Sequence, residues 1–103
     1  MTQMADWFLV TQVAGPAWDY SRPRREQDGW DEHAAFVDGL AAEGLIVLGG
    51  PVGDPDVGPV LVVFEAESEE DIRTRLVEDP WMDTILTIES IRPWFVWVRR
   101  PPG

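Results

Sequence analysis

LIVLGGPVGDPDVGPVLVVFEA, residues 45–66, contains two apolar runs separated by a segment rich in glycine and proline. Residues 45–50 and 59–66 are predicted to be strands, because short apolar runs bounded by turn-forming residues are typical of buried strands. Residues 51–58, PVGDPDVG, predict the turn region between them. The centre of the chain is therefore expected to hold two strands in succession.

A helix is predicted on each side of this strand pair. Residues 30–43 place their apolar side chains on one face of a helix, and Gly44 is a natural stop for it. The residues on that face are Trp30, His33, Ala34, Val37, Leu40 and Ala41. Residues 68–79, SEEDIRTRLVED, predict the second helix, with Ser68 as its N-cap and Pro80 as its interruption.

Strands are also predicted towards both ends of the chain. DWFLVTQVA at 6–14 and ILTIESIRPWFVWV at 85–98 are rich in β-branched and aromatic residues. Pro93 lacks a backbone donor, which favours an edge strand or a bulge. The resulting order β-α-β-β-α-β predicts a single α+β domain over residues 1–98, with a ferredoxin-like antiparallel sheet and both helices on one face. Residues 99–103 are expected to form a flexible tail.

Both faces of the predicted sheet are apolar, although two helices can cover only one of them. In the first strand Phe8 and Val10 alternate with Trp7 and Leu9, and the third and last strands show the same pattern. A face of an antiparallel sheet that meets water normally alternates towards polar residues. We therefore expect the sheet of a second copy to cover the other face, which predicts a homodimer.

The composition excludes several classes of function. The chain of 103 residues has a net charge of −11, and an acidic chain repels phosphate backbones, so no nucleic-acid partner is expected. It has no cysteine, which rules out disulfides, thiol catalysis and zinc–thiolate sites. The sequence MTQMADWFLV has no signal-peptide pattern, and no apolar run is long enough to span a bilayer. A cytoplasmic protein with no membrane association is expected.

The only histidine of the chain, His33, lies on the apolar face of the first predicted helix. A buried imidazole needs a hydrogen-bond partner, whether it has a structural role or acts as a general acid/base. Asp79, which precedes Pro80 at the turn into the last strand, is the predicted partner. Glu78 and Asp83 are alternatives that the spacing does not exclude.

A loop rich in arginine precedes the first helix. Arg22, Arg24 and Arg25 lie near Trp18 and Tyr20, and a guanidinium binds carboxylates through two parallel hydrogen bonds. The loop is therefore either a binding element for an organic acid or a solvated segment that offsets an acidic surface. The residues predicted to line a substrate pocket are Trp18, Tyr20, Arg25, Trp30 and Trp81.

No metal or cofactor is expected from the sequence. A single histidine among scattered acids shows no ligand spacing. The GGP stretch at 49–51 lacks the lysine and the following helix of a phosphate-binding loop.

Two long stretches resemble the YCII-like proteins. They are WDEHAAFVDGLAAEGLIVLGGPVGD at 30–54 and LVVFEAESEEDIRTRLVEDPWMDTILTIESIRPWFV at 61–96. The most specific elements are the helix histidine, the EGLIVLGGP passage and the DPW motif. The resemblance implies a ferredoxin-like subunit that dimerises as an α/β barrel, with a His–Asp pair at His33 and Asp79. Many members have an arginine three residues before the histidine, where this chain has Trp30.

Together these features predict a small enzyme without a cofactor that moves protons on a small organic substrate, with organic anions among the candidates. His33 would carry the proton and Asp79 would orient it, as in an isomerase or a lyase. The alternative is a non-catalytic dimeric module that binds a small molecule or serves as an accessory protein, with a structural His–Asp pair.

Overall fold

The computed structural model describes residues 4–103, so residues 1–3 of the predicted domain lie outside it. Over the described residues the chain has an α+β architecture with four antiparallel strands and two α-helices. The elements in chain order are β1 (Trp7–Ala14), α1 (Trp30–Ala42), β2 (Ile46–Pro51), β3 (Val60–Phe64), α2 (Glu69–Leu76) and β4 (Leu86–Trp94). A short 3₁₀ turn, Arg24–Glu26, precedes α1.

The strands lie in the order β2-β3-β1-β4, so β1 is central and β4 is at an edge. Val10 of β1 lies opposite Val62 on one side and Ile91 on the other. Pro93 lies near the end of the edge strand β4, which agrees with the expectation from its missing N–H group.

A bulge interrupts the pairing of β1 with β4. Thr11 lies opposite Ser90, but Gln12 lies opposite Ile88, so Glu89 has no partner in β1. Bulges bend a strand and redirect its side chains. Thr11 and Gln12 are both buried, although they are consecutive residues of one strand.

The helix ends follow from local chemistry. Helix α1 ends at Ala42, and Gly44 then takes a left-handed conformation with φ 85° that favours glycine. At the start of α2 the Ser68 hydroxyl accepts a hydrogen bond from the Asp71 backbone N–H at 3.1 Å. Helix α2 ends before the predicted residue 79, because the chain after Leu76 tightens into turns with hydrogen bonds three residues apart.

An aliphatic core lies between the helices and the sheet. Apolar side chains of both layers meet there, which explains why the alternating positions of β1 and β3 are apolar on this side. We call this group the aliphatic core; its buried members are Val10, Leu40, Ile46, Val62, Phe64, Ile72, Leu76 and Ile91.

The last strand is shorter than the predicted 85–98. Trp94 pairs with Trp7, the first residue of β1, so no neighbouring strand remains for the residues that follow. The Val96 N–H donates instead to the Asp6 carboxylate at 2.9 Å. Beyond it, the Arg99 guanidinium lies 4.7 Å from the centre of the Trp7 ring.

The face of the sheet opposite the helices carries exposed apolar side chains. Trp94 is 43% exposed and Leu48 is 63% exposed, and an apolar groove runs between them beside Leu9, Leu61 and Val63. The two helices lie on the other face and leave this one uncovered. Within residues 4–103, neither helix has the length and apolar character needed to cross a bilayer.

Candidate active site

His33 faces inward and is hydrogen-bonded to Asp79, as expected. Its Nδ1 lies 3.0 Å and 2.9 Å from the two carboxylate oxygens, and both side chains are almost completely buried. The competing acids lie elsewhere. Glu78 accepts a hydrogen bond from Arg75, and Asp83 accepts one from Thr87.

The turn after α2 fixes the Asp79 carboxylate. Its Oδ1 accepts a hydrogen bond from the Trp81 backbone N–H at 2.9 Å, which closes a turn typical of aspartate around Pro80. The Asp79 N–H donates in turn to the Leu76 carbonyl at 3.0 Å. The turn therefore fixes the position of the carboxylate independently of its contact with the imidazole.

The pairing sets the roles of the two ring nitrogens of His33. An ionised carboxylate only accepts hydrogen bonds, so the proton of a neutral imidazole lies on Nδ1. Nε2 then carries the free lone pair and can accept a proton. An aspartate behind Nδ1 also stabilises the imidazolium that forms when Nε2 is protonated.

The ring of Trp81 packs on one face of the imidazole and fixes its orientation. The two rings are stacked, with centroids 4.1 Å apart and an angle of 8° between their planes. Trp81 is 1% exposed, and its Nε1 donates to the Asp28 carbonyl at 2.7 Å. Position 29 favours glycine for two reasons. Its φ is 79°, and a Cβ there would lie only 3.3 Å from Nε1 of Trp81. The DPW motif thus supplies both the carboxylate and the stacking ring.

A cavity of about 270 Å³ lies beside His33, between α1 and the sheet, at the edge that strand β2 forms. Nε2 has no hydrogen-bond partner among the described residues, and no unpaired buried nitrogen or oxygen is sealed within that part of the chain. Nε2 is therefore accessible rather than enclosed by protein, and His33 forms part of the cavity wall. Most of the wall is apolar, with side chains of Trp30, Val37, Ile46, Val60, Val62 and Leu86.

Arg24, which was not among the predicted pocket residues, also lines this cavity. It is 6% exposed, its Nε donates to the Pro55 carbonyl at 3.3 Å, and its Nη2 donates to the Gly58 carbonyl. Its guanidinium lies 5.2 Å from the centre of the Trp18 ring. Burial lowers the pKa of Arg24, although nearby Asp56 opposes this effect.

Gln12 is the second polar residue of the wall that sequence reasoning missed. It is 5% exposed and lines the cavity. A signal was present in the sequence, because Gln12 continues the inward alternation of Phe8 and Val10 in β1. No comparable signal distinguished Arg24 from Arg25.

The five residues predicted to line the pocket have different surroundings in the structure. Trp30 lines the cavity, whereas Trp81 supports His33 and the buried Trp18 lies under Arg24. Tyr20 and Arg25 do not line the cavity. Tyr20 is 84% exposed, since hydrogen bonds of Ser21 and Arg22 to Asp19 hold its turn at the surface. Arg25 is exposed and lies 5.9 Å from the centre of the Trp30 ring.

The described part of the chain contains no group of three or more acidic or histidine side chains placed to hold a metal ion. Comparisons with protein-family models, with curated proteins and with solved structures found no match. The function is therefore argued from the geometry around His33.

Proposed function

We propose that the protein is a proton-transfer enzyme of isomerase or lyase type that acts on a small organic substrate. One observation carries the proposal: Nδ1 of His33 is bound to a buried carboxylate, while Nε2 has no partner in the described chain, is not sealed within it, and belongs to a residue that lines a cavity. A histidine with only a structural role is normally satisfied at both nitrogens. The arrangement is instead suited to general acid/base catalysis.

In the proposed reaction, Nε2 accepts a proton from a carbon atom next to a carbonyl group. The electron pair of the broken C–H bond moves towards the carbonyl oxygen, and the Asp79 carboxylate stabilises the imidazolium. Return of the proton to a different carbon gives an isomer. In a lyase, the electron pair instead forms a new C=C bond, the bond from the next carbon to a leaving group breaks with its electrons on the leaving group, and the proton remains on the imidazolium until it is released.

The composition of the wall favours proton transfer over acyl transfer. Among the described residues that line the cavity, none carries a hydroxyl, thiol or amine nucleophile. The planar rings of Trp30 and Trp81 flank the imidazole. Such a site is suited to a flat, unsaturated or cyclic substrate.

A non-catalytic module that binds a small molecule is the second candidate. It is favoured by the bond from the Trp81 N–H to Asp79, which gives this carboxylate a structural task that is independent of any substrate. In that case the His33–Asp79 pair joins α1 to the turn after α2, and the cavity only binds its ligand.

Deuterium exchange separates the two candidates. The protein is incubated in D₂O with a set of small 2-oxo and unsaturated monocarboxylic acids, and the loss of C–H signals is followed by NMR. We expect exchange at a carbon next to a carbonyl group in the wild type and none with His33→Asn, which keeps a polar side chain but transfers no proton. A normal melting temperature of the variant serves as the control.

Two outcomes would contradict catalysis. The first is exchange at the wild-type rate in His33→Asn. The second is a variant that loses thermal stability while the wild type catalyses no exchange with any acid of the set. The second outcome would favour the binding module.

We also propose that the chain is a YCII-like protein with a ferredoxin-like fold that dimerises as an α/β barrel. The element order and the antiparallel sheet support the fold. The exposed Trp94, Leu48 and neighbouring groove support a second copy on the open face, since large exposed apolar patches mark interaction sites. A cytoplasmic location belongs to the same proposal. A monomer in light scattering at micromolar concentration would rule out the dimer.

A further inference from the structure

Two polar side chains in the cavity wall have no use in the proton-transfer step. Arg24 and Gln12 are 6% and 5% exposed, and both line the cavity that His33 borders. Polar and charged groups at this depth normally have protein partners. Their incomplete pairing therefore requires an explanation of its own.

The hydrogen-bonding capacity of Arg24 is only partly used. One N–H on Nε and one on Nη2 donate to the carbonyls of Pro55 and Gly58, and the other guanidinium N–H groups have no partner in the described chain. No carboxylate among these residues forms an ion pair with it. Since no unpaired buried nitrogen is sealed in the described chain, Nη1, which has no partner there, reaches accessible space.

Gln12 contributes a second, independent observation. Its side-chain amide makes no hydrogen bond with any described residue, and neither of its polar atoms is sealed within the protein. An amide offers both a donor and an acceptor. Gln12 lies on the sheet that borders the cavity opposite α1, so it can bind a ligand oxygen while the apolar wall holds the carbon skeleton.

We infer that the cavity binds a small monocarboxylate with a cyclic or unsaturated body, whose carboxylate is held by Arg24 and whose second oxygen group is held by Gln12. Guanidinium groups bind carboxylates through parallel, charge-assisted hydrogen bonds. A protein cavity of about 150 Å³ accommodates benzene. The cavity of about 270 Å³ therefore has room for one ring and a carboxylate.

The charges around the cavity favour a single negative charge on the ligand. Arg24 is the only cationic side chain among the described lining residues, and Asp38 also lines the cavity. A phosphate dianion would meet one guanidinium and one carboxylate in a chain with a net charge of −11. A monocarboxylate needs only the one cation that the wall provides.

Binding of benzoate and of benzamide, which have the same shape but differ in charge, tests this inference. We expect the wild type to bind benzoate about tenfold more tightly than benzamide in calorimetric titrations, because charge-assisted hydrogen bonds are the stronger ones. Arg24→Gln removes this preference. Arg25→Gln, the matched control in the same loop, keeps it, because Arg25 does not line the cavity.

A second variant covers the case in which Arg24→Gln does not fold. Gln12→Leu leaves the arginine in place. It is expected to weaken the binding of hydroxybenzoates, which carry a second oxygen group, several-fold, while the binding of benzoate and its preference over benzamide persist. Failure of the wild type to bind benzoate overturns the inference. Equal binding of the two probes, or equal losses in Arg24→Gln and Arg25→Gln, also overturns it.

The reacting end of this ligand rests on the proposed function, but the charge preference does not. His33→Asn is expected to retain the preference for benzoate even though it cannot transfer a proton. Absence of deuterium exchange in the wild type, together with a retained preference for benzoate, would refute catalysis and leave the carboxylate site intact. Exchange without any preference would refute only the carboxylate site.

Discussion

Within residues 4–103 the buried apolar side chains form two clusters, and the two differ in composition. The aliphatic core between the helices and the sheet contains only apolar side chains, such as Ile72 and Phe64. The second cluster, here called the tryptophan cluster, consists of Trp18, Trp81, Ile85 and Leu86 with the partly buried Trp30. Its Trp81 stacks on His33 and donates its backbone N–H to Asp79, and Trp30 and Leu86 line the cavity.

The difference shows how stability and chemistry are divided within a small domain. Aliphatic side chains stabilise the fold through burial alone and need no exact partners. The tryptophan cluster combines burial with donors and acceptors, because each buried polar group must find a partner. Substitutions in the two clusters should therefore have different effects, even where both destabilise the fold.

Trp81→Ala should give the largest effect and should impair both stability and ligand binding. Loss of this ring removes the stack on His33 and leaves a cavity, at a cost of about 4 kcal/mol in the free energy of unfolding. Urea denaturation measures this loss, and calorimetric titration with benzoate measures binding.

Ile72→Ala is the matched change in the aliphatic core. It should cost about 3 kcal/mol in the free energy of unfolding, because Ile72 is fully buried, but leave benzoate binding of the folded protein unchanged. If Ile72→Ala lost binding while Trp81→Ala retained it, the distinction between the two clusters would fail.

Asp79→Asn should have an intermediate effect. The variant keeps an oxygen for the Trp81 N–H but removes the charge that faces Nδ1, so we expect a loss of about 2 kcal/mol in the free energy of unfolding. Asp83→Asn is the control, since Asp83 is exposed and bonds only to Thr87. An equal loss in the two variants would show that the buried His33–Asp79 pair contributes no more to the free energy of unfolding than the exposed hydrogen bond of Asp83.

The smallest effect is expected from the exposed ion pair of Glu43 and Arg75, which joins the end of α1 to α2. Hydrogen bonds from Arg75 hold the pKa of Glu43 below its ordinary value. The folded state therefore gains stability above the unfolded pKa of this glutamate, roughly 4, and loses it as the pH falls through the lower folded pKa.

A double-mutant cycle with Glu43→Gln and Arg75→Gln isolates this contribution. The coupling free energy from urea denaturation should be small but measurable at pH 7, and it should decline as the pH is lowered from 7 towards about 2 and the carboxylate becomes protonated. A coupling that stayed constant over this range would mean that the interaction of the two side chains does not depend on the carboxylate charge.

Much of the fold could be predicted from the sequence, because periodic patterns report directly on which face of an element is buried. Helix α1 begins at Trp30 as expected, and the strands follow in the predicted order. The residue at which the last strand ends could not be predicted from the sequence of that strand alone. It ends at Trp94 because the partner strand begins at Trp7, and this is a property of the sheet.

The candidate site was predictable only in part, for the same reason. The inward position of His33 follows from the helix projection. Asp79 was the predicted partner because it precedes Pro80 at the turn into the last strand, but spacing alone did not exclude Glu78 or Asp83. The selection of Arg24 over Arg25 depends on the carbonyls of Pro55 and Gly58, which belong to a distant turn. No local pattern around the arginine loop encodes that contact.

The bond between His33 and Asp79 joins residues that are 46 positions apart in the chain. Closing a loop of that size costs chain entropy, which only the contacts between the layers can offset. Isolated helices form within about a microsecond, but neither α1 nor the DPW turn contains the pair by itself. The candidate site therefore exists only while α1 and the turn after α2 are docked together beside the sheet, and it is lost whenever they separate.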